Sequence, residues 1–125
     1  MDNRELFRLA KEAMPNAYAP FSRFKVGAAL LTEEGKVFTG VNVENSSYGG
    51  TICAERTAAV KAISEGYRRF SKLAVVTSEG AGSPCGICRQ FLYEFAPELE
   101  IIMGDDEDNL RVVVLKELLP EGFRL

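Results

Sequence analysis

The sequence predicts a three-layer α/β/α domain built on one five-stranded mixed sheet. Three observations carry that expectation. The segments read in the order αββαβαββ, with helices available for both faces of a sheet. The first strand-like run is apolar or small on both faces, as expected when a sheet is covered on both sides. The last two strand-like runs are only six residues apart. A parallel crossover needs a dozen or more, so these two form an antiparallel hairpin.

Residues 3–14 carry Leu6, Leu9, Ala10 and Ala13 at helical spacing, and Pro15 closes the helix. Residues 16–22 read as a loop. Two strands follow, at 24–32 and 36–44, with Glu33-Glu34-Gly35 as the hairpin turn. Val26, Ala28 and Leu30 share one face of the first strand; Gly27, Ala29 and Leu31 share the other. Residues 45–52 form a glycine- and serine-rich loop. An alanine-rich helix spans 53–66 and ends at Gly66. Residues 73–77 are a short buried strand, and 79–83 a flexible connection. Ser83 caps and Pro84 opens a second helix over 84–95, with Ile87, Phe91 and Phe95 toward the core. Strands at 99–103 and 110–114 precede a last helical turn at 116–120. No repeat or linker interrupts residues 1–125, so one domain is the simplest reading.

Composition narrows the function. The chain has 125 residues, 46% hydrophobic, with a formal net charge of −3. No basic stripe suits a nucleic acid. No apolar run is long enough for a membrane span. The acidic tract Asp105-Asp106-Glu107-Asp108 reads as a solvated turn. The first residues lack an apolar signal core. With an odd number of cysteines, three, this leads us to expect reduced thiols in the cytoplasm.

The chemistry gathers at those cysteines, in Thr51-Ile52-Cys53-Ala54-Glu55-Arg56 and Ser83-Pro84-Cys85-Gly86-Ile87-Cys88-Arg89-Gln90. There is no histidine and no fourth cysteine, so thiolate and imidazole ligands end at three. A closed structural zinc site uses four protein ligands, whereas a catalytic one uses three and leaves a position open. Both stretches fall at predicted helix starts, where free N–H groups stabilise thiolates. Cys53 and Glu55 can serve one site only across the open end of their helix. Three thiolates leave bound zinc net negative, so a nearby cation should offset the charge. Arg56 is the first choice and Arg89 the second. Taken singly, each feature has a bland reading. Cys85-x-x-Cys88 alone could be a redox dithiol or half a zinc knuckle. Cys53 could be a buried thiol, Glu55 a helix-start carboxylate, and the arginines partners of surface acids.

Together these motifs resemble the cytidine deaminase family, in its small homotetrameric form. The resemblance spans nearly the whole chain. It is carried by residues 17–22 (Ala-Tyr-Ala-Pro-Phe-Ser), 24–30 (Phe-Lys-Val-Gly-Ala-Ala-Leu), 42–45 (Asn-Val-Glu-Asn), Cys53-Ala54-Glu55-Arg56, 84–90 and Glu117-Leu118-Leu119-Pro120. In the wider zinc-deaminase signature a histidine often holds the first ligand position; Cys53 stands there in this chain.

The resemblance implies one zinc ion per subunit, held by Cys53, Cys85 and Cys88. It implies hydrolysis at C4 of cytosine in cytidine and deoxycytidine, as in pyrimidine salvage. Glu55, off the metal, moves protons from water to N3 and to the departing ammonia. Asn42 and Glu44 lie two apart on a strand and project to the same face. An amide beside a carboxylate can hold a ribose hydroxyl, and by resemblance this is the 3′-hydroxyl. A buried Glu44 with no partner would be costly, which favours a ligand role over the polar face of an edge strand. By the same resemblance Phe24 packs on the pyrimidine, Ala54 contacts the substrate, and Tyr48 and Phe123 complete pockets shared between subunits. Plain core packing is the competing account of Phe24. A blasticidin-type deaminase shares the cysteine motifs, but the Asn42-x-Glu44 pair favours a nucleoside substrate. A polynucleotide deaminase is disfavoured by the acidic balance and by the short hairpin after Met103. A zinc-stabilised binding module without catalysis is the alternative from another class.

Overall fold

The computed structural model describes residues 1–125. Its elements are α1 (Asn3–Ala13), β1 (Val26–Thr32), β2 (Val37–Val41), α2 (Ala54–Ser64), β3 (Phe70–Thr77), α3 (Gly86–Tyr93), β4 (Glu100–Gly104), β5 (Leu110–Val114) and α4 (Leu115–Leu118). Short 3₁₀ turns occupy Met14–Asn16 and Tyr48–Gly50.

The strands form one sheet in the order β2-β1-β3-β4-β5. β1 is antiparallel to both β2 and β3, β3 is parallel to β4, and β4 is antiparallel to β5. The expected five-stranded mixed sheet and its closing hairpin are therefore present. α3 is the crossover that the parallel β3–β4 pair needs.

The alternation read along β1 decides the layering. Ala29 and Leu31 pack with Leu6, Phe7 and Ala10 of α1 on one face. Ala28 and Leu30 pack with Ala54, Ala58, Ala59 and Ala62 of α2 on the other, together with Leu92 of α3 and Leu115 of α4. α2 can lie close because its inner face is alanine. At Gly40 of β2 there is no room for a side chain: a Cβ there would come within 2.4 Å of the Ala54 carbonyl oxygen.

Several boundaries differ from expectation. β1 begins at Val26 and β2 ends at Val41, because the Asn42 side chain takes over the pairing beyond them. Its amide oxygen accepts from Val26 N at 2.8 Å and its amide nitrogen donates to Phe24 O at 2.8 Å. α3 starts at Gly86, with Cys85 in extended conformation as its N-cap. Ser83 does not cap it; its hydroxyl accepts from Arg89 instead. Cys88 and Leu92 face inward, and Ile87 is 66% exposed, against the expected core position. The acidic turn is paired with α1, through Arg8–Glu107 at 2.9 Å and Arg4–Asp108 at 2.9 Å. Such exposed pairs add little stability. No helix is long and apolar enough to cross a membrane.

The contact at Gly40 is open to test. Gly40→Ala should destabilise the protein by about 1–3 kcal/mol through overpacking against α2. A lower urea midpoint, followed by circular dichroism, would show it; an unchanged midpoint would mean that α2 can move away freely.

Candidate active site

The two strands that lead to the cysteines run in the same direction, since each is antiparallel to β1. Their ends are level: Gly27 pairs with Val41 and Val26 with Thr77. The chain therefore leaves β2 and β3 at one end of the sheet, on either side of Val26. From there residues 42–53 lead to the start of α2, and residues 78–85 to the start of α3.

Cys53 and Cys85 are the N-cap residues of those two helices, and neither helix has a side-chain cap. Cys88 follows in the first turn of α3 and is fully buried. The Sγ atoms of Cys53 and Cys85 are 3.7 Å apart, and all three sulfurs lie within 4.8 Å of one another. Tetrahedral zinc with bonds of about 2.3 Å places its sulfurs about 3.8 Å apart, so the cluster fits that ion. Arg56 Nη2 lies 3.6 Å from Cys53 Sγ. The Cys53 thiol is lowered to about 5, first by the hydrogen bond from Cys88 and then by Arg56. Cys88 is pushed up by the same partner and by its burial. The Arg56 guanidinium thus favours the thiolate form of Cys53.

A cleft of about 500 Å³ opens beside the cluster. That size suits a small ligand. Cys53, Ala54 and Glu55 line it from α2, and Cys85 from the start of α3. Phe24, Asn42 and Glu44 line it from the loops flanking β1 and β2. Two other concavities, of about 340 and 370 Å³, hold no cysteine. Glu55 is only 4% exposed. Burial raises its carboxyl to about 7, and the nearby Cys53 pushes the same way.

The family model for the cytidine and deoxycytidylate deaminase zinc-binding region matches residues 1–104. The chain belongs to this family. It is 45% identical over 125 residues to the cytidine deaminase of Sporosarcina psychrophila, covering 98% of this chain and 92% of that one. It is 54% identical over 116 residues to a probable cytidine deaminase of Dictyostelium discoideum, covering 91% and 78%. The crystal structure of cytidine deaminase from Burkholderia pseudomallei superposes with a TM-score of 0.92 at 48% identity, covering 98% of this chain and 100% of that one. That from Mycobacterium tuberculosis gives 0.87 at 43%, covering 100% and 99%. The matched region is a zinc-binding one, and Cys53, Cys85 and Cys88 form a cluster that could hold such an ion.

Not every residue singled out in the sequence stands in the cleft. Tyr48 and Phe123 are 78% and 64% exposed and do not line it in their own chain. Arg89 touches no sulfur. It donates to Pro84 O, Leu118 O and Ser83 Oγ. Glu44 is half-buried but not without partners, which corrects the cost argument made from sequence. Its Oε1 accepts from Phe21 N at 2.9 Å and Ser22 N at 3.1 Å, and its Oε2 accepts from the Ser22 hydroxyl. These bonds hold its carboxyl below the usual range, the Ser22 hydroxyl most of all. Ser22 also accepts from Phe24 N at 3.0 Å. Sequence reasoning gave this serine no role, because nothing in the pattern links it to a carboxylate 22 residues away.

If the cluster holds zinc, replacing any of the three sulfurs leaves two. Cys53→Ala, Cys85→Ala and Cys88→Ala should each lose stoichiometric zinc after gel filtration, read by elemental analysis. Full retention by any one of them would remove that residue from the ligand set.

Proposed function

We propose that the chain hydrolyses cytidine and deoxycytidine to uridine and deoxyuridine, releasing ammonia, in pyrimidine salvage. The observation that carries this reading is one cleft, beside the three-sulfur cluster, lined by Cys53, Cys85 and Glu55, a buried carboxyl two residues from the first sulfur. Family membership and the relatives' printed activity support it.

Cys53, Cys85 and Cys88 hold the zinc. When bound, zinc supplies a water that is acidic enough to act as nucleophile near neutral pH. The water oxygen becomes bonded to C4 and the exocyclic amine leaves as ammonia. Glu55 would take one water proton and deliver it to N3, then pass the second, from the new C4 hydroxyl, to the departing amine, which leaves the C4 carbonyl of uracil. Its burial suits that exchange, because a carboxyl poised between its two forms can both accept and donate. Phe24, 40% exposed on the cleft wall, packs on the pyrimidine. Asn42 and Glu44 take the sugar hydroxyl, and Ala54 contacts the substrate beside Glu55. Arg56 offsets the third thiolate.

The same reading makes the protein a cytoplasmic homotetramer, with Tyr48 and Phe123 entering neighbouring pockets. Support comes from large apolar side chains around the cleft mouth. Tyr18, Phe21, Tyr48 and Ile52 are all more than two-fifths exposed. Clustered exposed apolar groups of this kind mark interaction surfaces.

Two variants test the roles. Glu55→Ala should keep one zinc per chain and lose roughly 10²–10⁴-fold in cytidine conversion, followed by ultraviolet absorbance. Full activity in that variant would overturn the assignment, and no conversion by the zinc-loaded native protein would sink the proposal itself. Ser22→Ala removes the hydroxyl that joins Glu44 to Phe24. A hydrogen bond to a charged group is worth about 1.5–3 kcal/mol, so KM should rise at least about tenfold. Turnover at saturation should change little. A fall in kcat at constant KM would count against this placement of Ser22.

A further inference from the structure

The Cys85 sulfur has to be held in place by something other than its own surroundings. Cys85 is exposed and follows a connection that contains Gly80 and Gly82. As the α3 N-cap it makes no capping bond through its side chain. Yet its sulfur stands 3.7 Å from that of Cys53, on a different helix.

Arg89 lies one turn further along α3, where its backbone N–H donates to Cys85 O at 2.9 Å. Helical side chains lean back toward the N-terminus, and this one returns to the segment just before the cysteine. Nε donates to Pro84 O at 2.7 Å and Nη2 to Ser83 Oγ at 2.9 Å. Nη1 donates to Leu118 O of α4 at 2.7 Å. All three nitrogens of the guanidinium are used, and two of them grip the residues that deliver Cys85. The third anchors that grip to α4, which is packed in the main core through Leu115. Gln90 adds a second tie to the chain end, donating from Nε2 to Phe123 O at 3.1 Å.

We propose that Arg89 is a positioning residue for zinc retention. It fixes the 83–85 segment against α4, so that Cys85 Sγ stays within reach of the ion and the C-terminal segment becomes part of the metal site's support. The proposal rests on the zinc-site reading above. Geometry makes the demand specific to arginine, since a lysine offers one point charge and cannot span three acceptors in a plane.

The test is zinc affinity, measured by competition with a chromophoric chelator on the full-length protein. Arg89→Ala and Arg89→Lys should each weaken zinc binding by roughly 10–100-fold, the usual range for losing a ligand's outer support. Ser83→Ala, which removes one of the three acceptors, should have a smaller effect in the same direction. The two Arg89 variants, once saturated with zinc, should keep their KM for cytidine within about twofold, since Arg89 itself does not line the cleft. Ile102→Val, in the core on the opposite face, serves as a control for general destabilisation and should leave zinc affinity unchanged. Native-like zinc affinity in Arg89→Lys would overturn the proposal, and this variant keeps the charge and the stem if the alanine variant does not fold. A loss in Ile102→Val equal to that in Arg89→Lys would also overturn it. A native protein that binds no zinc would instead overturn the site reading beneath it.

Discussion

Three sulfurs within 4.8 Å of one another are the arrangement on which the rest of the site depends. They come from two helices, and the sheet brings those helices together. β2 and β3 both run against β1, so both end beside Val26. Each then hands the chain to a helix on the same face of the sheet, and the two helix starts meet over that end. Ligands in α/β proteins gather at the carboxyl ends of strands for this kind of reason. The approach to β1 arrives at the same place, which puts Phe24 and Ser22 opposite the cysteines. One geometric fact, the shared direction of β2 and β3, therefore sets the metal seat and the substrate wall together.

The wall is built by side chains bonding to backbone. Asn42 joins Phe24 O to Val26 N, while Ser22 joins Phe24 N to Glu44. Phe24 thus has its N–H held by Ser22 and its carbonyl held by Asn42. Under the proposed roles, the ring-packing and sugar-binding residues are therefore mechanically joined. A change at Asn42 or Glu44 moves the segment that carries the ring as well as the polar group itself. Hydrogen bonds to an ionised carboxylate are among the stronger ones available, so Glu44 is well suited to anchor this loop.

Much of the fold was legible because alternation along β1 and the short gap before β5 admit few arrangements. The alanine-rich helix was legible too, but its close approach to Gly40 of β2 was not. The start of α3 was not legible in the same way. Ser83 and Pro84 are good helix-start residues, and a thiol is a poor cap. Cys85 takes the cap position in spite of local preference, and from there its sulfur lies 3.7 Å from that of Cys53. Glu44 was misjudged for a related reason. Two of its partners are backbone N–H groups, which any residue offers and no sequence pattern reveals. Arg89 was expected as a second cation for the sulfurs, and its actual bonds were missed for the same cause: two of its three acceptors are carbonyl oxygens, one of them 29 residues away.

Charge accounts for the remaining oddity. Arg56 Nη2 reaches Cys53 Sγ at 3.6 Å and Thr51 O at 3.5 Å, yet its Nε is buried with no partner. An unsatisfied buried donor costs about 1–3 kcal/mol. Such a cost persists only where something offsets it, and the sulfurs do. Three thiolates outweigh a divalent ion, so the site needs a fixed positive charge close to sulfur. Arg56 sits one helical turn after Cys53, which directs its side chain back toward that ligand. An arginine keeps its charge there regardless of burial, whereas a lysine in the same place would tend to lose it. The same burial acts in the opposite sense on Glu55, lifting its carboxyl to about 7. On one helix turn, then, the Cys53 sulfur, a guanidinium beside it and the buried Glu55 carboxyl stand together, which is the set that the proposed proton transfer needs.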